Sequence, residues 1–169
     1  MIGGCLYAPG PGRMNGQTGL RLAGLRRHPI LVCGALEASA LEHLGRFFEP
    51  EILTSTLEAG QLRERLIGKA ALVIEQVVPI DDAFLEGLRW LRSICRLAPG
   101  STGIDLDACT RRGILVTDVP SLSDHAAART RMQTIAAENL AATFGFGRIG
   151  GHPPNLVNLE MRCLIGCCA

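Results

Sequence analysis

With 169 residues, 47% of them hydrophobic and 20% charged, the chain holds enough for one globular domain with a sizeable core and too little for two full α/β domains. Its formal net charge of +1 gives no electrostatic reason to expect nucleic acid, a membrane surface or an acidic partner, and one Trp and one Tyr supply little for base stacking. No apolar run approaches the roughly 20 residues of a membrane span.

Residues 1–28 read as a disordered extension, or as translation from a start codon upstream of the true one. The segment to Arg27 is rich in Gly and Arg and has no acidic residue. It shares that with transit peptides but lacks the apolar core of a secretory signal, and a cytoplasmic location is expected.

Pro29 to Cys33 is the first strand, a short apolar run. Leu41, Leu44 and Phe48 fall at helical spacing on one face, with Glu42 and Arg46 on another. Ile52 and Leu53 form a second short strand. Leu62 and Leu66 repeat at helical spacing in a charged helix that Gly68 ends. Ala71 to Ile74 is a third strand, and Pro79 closes the loop after it. Asp81 caps the next helix, whose Phe84, Leu85 and Leu88 face inward.

The stretch from Leu91 to Pro120 organises the rest. Ile94 and Cys95 end an apolar run, and Pro99-Gly100-Ser101-Thr102-Gly103 breaks it with turn residues. Ile104, Leu106 and Ala108 belong to a short helix that Gly113 stops. Ile114 to Thr117 is β-branched and apolar, as a strand covered on both faces would be. A loop between the carboxyl end of a strand and a helix is where open α/β sheets bind small molecules. Pattern alone leaves open whether this is such a loop or an ordinary βαβ crossover. Strands alternating with short helices imply a parallel sheet with helices on both faces.

Ser121 to Leu140 reads as helix, capped by Ser123, with Met132, Ile135, Ala136 and Leu140 on one side. Pro153 and Pro154 then enforce an extended segment. Between these, Gly145, Gly147 and Gly150 spell GxGxxG. A dinucleotide loop needs a strand before those glycines and a helix after them. Here IAAENLAAT precedes and the two prolines follow, so the motif reads as a chance match in a glycine cluster that ends a helix.

Seven cysteines are scattered through apolar segments. Cys33 and Cys95 read as small buried hydrophobes, and reduced thiols are expected. Cys163, Cys167 and Cys168 cluster without the paired spacing of a metal site, so no metal is expected. Among the histidines, His125 is the tempting general base, but it reads as a helix-face or capping residue. His28, His43 and His152 have no partner fixed by spacing.

The residues from Leu91 to Pro120 resemble a run of the D-isomer-specific 2-hydroxyacid dehydrogenases, the family that includes phosphoglycerate dehydrogenase. The family run resembles LKxIxRxGxGxDNIDLxAATxRGIxVxNxP. It stands here, without a gap, as Leu91-Arg92, Ile94, Arg96, Gly100, Ile104-Asp105-Leu106, Ala108, Thr110, Arg112-Gly113-Ile114, Val116 and Pro120. Ile135 to Leu140 followed by Pro153 to Asn158 resembles the C-terminal end of the same enzymes.

The resemblance implies a flavodoxin-like substrate domain over residues 29–158, a single domain ending in a C-terminal helix, with residues 159–169 as tail. Two sequence halves, 29–130 and 131–158, would be joined directly, without most of the inserted nucleotide domain. That missing part is where the family keeps its cofactor loop and its catalytic Arg, Glu and His. The activity implied is NAD-dependent oxidoreduction of a small 2-hydroxy or 2-oxo acid, with no catalytic residue and no NAD site retained by this chain alone. The alternative is a non-catalytic remnant or binding module. By the same resemblance, Arg96, Ala98, Gly100 and Ser101 are the candidate substrate-binding residues, whose backbone N–H groups would meet the acid's carboxylate. Ala98 stands where the family has a glycine. Glu75 stands where it has an arginine, and would repel an anion.

Overall fold

The computed structural model describes residues 27–120, 126–146 and 153–161. Five parallel strands form one sheet in the order β2-β1-β3-β4-β5. They are β1 (His28–Cys33), β2 (Phe48–Leu53), β3 (Ala71–Ile74), β4 (Ser93–Arg96) and β5 (Leu115–Thr117). The helices are α1 (Ala38–Gly45), α2 (Ala59–Leu66), α3 (Asp82–Leu85), α4 (Leu106–Arg111) and α5 (Ala126–Thr143). This is the flavodoxin-like α/β arrangement expected from the alternation of apolar runs and helical patterns.

Strand alternation sorts the core into two layers. Leu31, Cys33, Leu72, Ile74 and Ile94 point to one face, where Leu62 and Leu66 of α2, Phe84 and Leu85 of α3, and Ala108 and Cys109 of α4 cover them. Ile30, Val32, Ala71, Val73 and Cys95 point to the other, against Leu44 of α1 and Ala136, Ala137 and Leu140 of α5. Because both faces are covered, β3 and β4 are buried at every residue, Ser93 and Arg96 included.

The short helices are fixed at their amino ends. Asp81 accepts from the Phe84 N–H at 2.8 Å and Asp105 from the Ala108 N–H at 2.9 Å, each cap worth about 1 kcal/mol. Glu58 and Gln61 form a reciprocal capping box on α2.

Several boundaries differ from the sequence reading. Phe48 is the first residue of β2 rather than part of a helix face, because α1 stops at Gly45 and the chain turns so that Phe48 is fully buried against α5. His28 opens β1 instead of preceding it. Ile104 lies before α4, paired with Ile80 in an isolated parallel bridge. Leu88 lies beyond the end of α3, yet is buried as expected. The last helix runs past Leu140 to Thr143. Its proposed start, with Ser121, Ser123 and His125, lies outside the described residues, as do the extension before Arg27, His152 and Cys163, Cys167 and Cys168.

The edges are handled differently. Edge strand β2 carries Pro50, which cannot donate to a further strand. The β5 edge is covered by the chain's return: Thr117 and Leu156 form an antiparallel bridge, and the Val157 N–H donates to Val116 O at 2.8 Å.

Candidate functional site

Parallel strands place the loops that follow them along one edge of the sheet. The strand order turns between β1 and β3, so the crevice there is the topological switch point. The loop after β4 is zipped to the loop after β3. The Ile80 N–H donates to Gly103 O at 2.7 Å, and the Asp105 N–H donates to Ile80 O at 2.9 Å. Gly103 is required at this crossing. Its φ is +84°, and a Cβ there would stand 2.9 Å from the Val78 carbonyl oxygen.

Arg96, Ala98, Gly100 and Ser101 lie together on this loop. Arg96 is buried at the end of β4, and its Nη1 donates to the Thr102 carbonyl at 2.6 Å. Its Nε has no hydrogen-bond partner among the described residues. Ala98 and Ser101 are half-buried, and Ser101 O accepts the Ile104 N–H at 2.9 Å. Gly100 is exposed at φ +78°, and its N–H donates to Asp118 Oδ2 at 2.8 Å. The loop amide that the resemblance offers to a substrate carboxylate thus already holds a carboxylate of the chain.

The switch-point crevice is lined by charge of both signs. Glu75, just past β3, pairs with Arg129 of α5 at 3.5 Å, so its charge is balanced rather than open to repel an anion unopposed. Arg129 also donates to Ala35 O at 3.4 Å. Gln133, one turn on and buried, accepts the Glu37 N–H at 2.6 Å and donates to Ala35 O at 2.9 Å. Asn139, also buried, donates to Asp118 O at 3.1 Å and accepts the Asn155 N–H at 3.4 Å. One face of α5 therefore reaches the loops after β1 and β5.

The described histidines are elsewhere. His28 lies at the amino end of β1, its ring 4.8 Å from Phe144, and His43 on α1 meets Phe47 edge-on at 6.4 Å. Nor do the buried thiols offer a nucleophile. Burial pushes Cys33 up to about 11, with the Glu51 charge adding to it, and pushes Cys95 and Cys109 up to about 12.

Gly145 follows a helix, at φ +76°, and donates its N–H to Ala142 O at 3.1 Å, while the Phe146 N–H reaches Ala141 O at 2.7 Å. These two bonds are a Schellman cap. Phe144 and Phe146 flank it and pack on Phe48, with Phe146 stacked on Phe47 at 5.0 Å. Gly147 and Gly150 lie outside the described residues.

The profile of the D-isomer specific 2-hydroxyacid dehydrogenase catalytic domain matches residues 30–158. The chain belongs to this family. Among solved structures, a protein of Pyrococcus horikoshii is 26% identical, with a TM-score of 0.52 over 57% of this chain and 28% of its own. The NAD+-bound 3-phosphoglycerate dehydrogenase of Entamoeba histolytica is 20% identical, with a TM-score of 0.50 over 56% of this chain and 33% of its own. At that identity the likeness is one of fold. The chain thus spans about a third or less of the length of these relatives. A search of curated proteins finds no match.

Sequence reasoning missed Asp118, Arg129 and Gln133. For Asp118 a signal existed, since the resembling family run carries Asn at this place. For the other two, nothing sets Arg129 and Gln133 apart from the other polar residues of α5 until the helix is docked.

Proposed function

We propose that this chain is the acid-binding part of a D-2-hydroxyacid dehydrogenase, with a small 2-hydroxy or 2-oxo acid as its ligand and the loop from Arg96 to Ser101 as the place of contact. The observation that carries the reading is the match of the family's catalytic domain to residues 30–158, a span in which both sequence halves contribute to one sheet and its cover. The donors on this loop support it. Arg96 has a buried Nε without a partner among the described residues, and a buried cationic group gains most from an anion that completes its hydrogen bonds.

Hydride transfer in this family requires a nicotinamide, and NAD is the cofactor the family implies. Gly145 caps a helix, which is not the strand-to-helix turn that holds a pyrophosphate. On this reading the two halves of the substrate domain are joined directly, and the chain alone binds and orients an acid without oxidising or reducing it. As for location, no helix among the described residues is long and apolar enough to cross a membrane.

The test is NADH binding to the purified, folded chain by fluorescence titration or calorimetry, with a full-length relative as positive control. No binding up to millimolar cofactor is expected. Saturable binding at micromolar cofactor would overturn the proposal and reopen the reading of the chain as an enzyme.

A further inference from the structure

We propose that the Asp118 carboxylate is a built-in competitor for the acid-binding loop, holding the Gly100 N–H that an incoming carboxylate would take and so weakening the acid's hold there. The inference rests on the reading that this loop is where the acid binds.

Three observations carry it. The contact is direct, at 2.8 Å between Gly100 N and Asp118 Oδ2. A carboxylate on a backbone N–H is one of the stronger neutral–charged hydrogen bonds, and a second carboxylate cannot share the same donor without like-charge repulsion. The competitor is also held in place. The Asp118 N–H donates to Asn155 O at 3.2 Å, and its carbonyl accepts from Asn139 Nδ2 at 3.1 Å. With its backbone clamped from both sides by the C-terminal segment and α5, Asp118 presents its side chain to Gly100 without a hinge.

The third observation is the space around Gly100. It is exposed, at φ +78°, and no atom of the described residues lies within 4 Å of where a Cβ would stand. A ligand therefore has room to approach, and packing does not close the position. What stands in the way is the charge and the prior claim of Asp118 on the donor. A neutral ligand group accepting at Gly100 would displace the carboxylate without meeting a like charge of its own, so Asp118 opposes an anion at this donor more than a neutral acceptor.

The experiment is amide NMR on the full chain and on Asp118→Asn and Asp118→Ala, titrated with pyruvate as the anionic probe and pyruvamide as its neutral counterpart. The Gly100 amide reports the contact and the loop amides from Leu97 to Thr102 report the ligand. We expect Asp118→Ala to move the Gly100 proton upfield, and both variants to bind pyruvate about tenfold more tightly or better than the wild type, with little change for pyruvamide. An equal pyruvate response in wild type and both variants overturns the inference alone. Loss of the contact with no pyruvate response in the loop of any chain overturns the acid-loop reading and this inference with it. Asp118→Asn keeps an acceptor for Gly100 and remains readable should Asp118→Ala fail to fold.

Discussion

The side chain of Asn158 accepts the backbone N–H of Val116 at 2.9 Å across 42 residues of chain. Its Nδ2 donates to Ile114 O at 2.9 Å and to Thr110 Oγ1 at 3.1 Å. A fully buried amide with donors and acceptor all engaged stands in for the missing strand beyond β5. It is the link by which the end of the chain completes a sheet built from its first two thirds.

Asn158→Ala leaves the Val116 N–H and the Ile114 carbonyl buried without partners. It is expected to destabilise the fold by about 2–4 kcal/mol, the desolvation cost of those groups. Urea unfolding followed by circular dichroism measures it. A loss under about 1 kcal/mol would mean that water replaces the amide at this edge.

The two loop glycines are not equivalent. Both have positive φ, but a Cβ on Gly103 meets the Val78 carbonyl, whereas one on Gly100 meets nothing among the described residues. Gly100→Ala is expected to cost about 1 kcal/mol from backbone strain alone. Gly103→Ala should cost about 3 kcal/mol or more, because the bridge between Ile80 and Ile104 must open as well. The unfolding midpoints of the two variants compare the effects directly.

On α5, the buried amide should matter more than the ion pair. Arg129 and Glu75 are each about half exposed, so their bond is screened, and Arg129→Ala should change stability by less than about 1 kcal/mol. Gln133→Ala strips partners from the Glu37 N–H and should cost about 2 kcal/mol. Salt distinguishes them further: raising ionic strength weakens the Arg129 pair and leaves the Gln133 bonds unchanged.

The thiols give a pH prediction. In the folded chain Cys33 is raised to about 11 and Cys95 and Cys109 to about 12, against 9.0 when unperturbed. The folded state therefore holds these protons to higher pH than the unfolded state does. Their contribution is complete below about pH 9 and is lost as pH rises toward 11 and 12, by about 1.4 kcal/mol per unit and per thiol within that window. Urea midpoints between pH 8 and pH 10.5 should fall accordingly, with a shallower slope in Cys95→Ala. Mapping iodoacetamide adducts at pH 8 should find all three residues unlabelled until the chain unfolds.

The sequence by itself determined the alternation of strands and helices, the cap at Asp81, and the family, because apolar period, capping residues and motif register are local properties of the chain. Ala71 to Ile74 was placed from a run of consecutive apolar residues that ends at Glu75. Gly145 as a helix end was legible for the same reason: what precedes it can only be a helix. Phe48 was misplaced because a residue at helical spacing just after a helix is indistinguishable, in sequence, from one that opens a strand. Only the tertiary structure decided what meets at the carboxyl edge of the sheet. The partners of Gly100, Glu37 and Val116 are Asp118, Gln133 and Asn158, separated from them by 18, 96 and 42 residues. A hydrogen bond over such a distance along the chain leaves no periodicity to read. It exists because the packing of α5 and the return of the C-terminal segment bring those groups together.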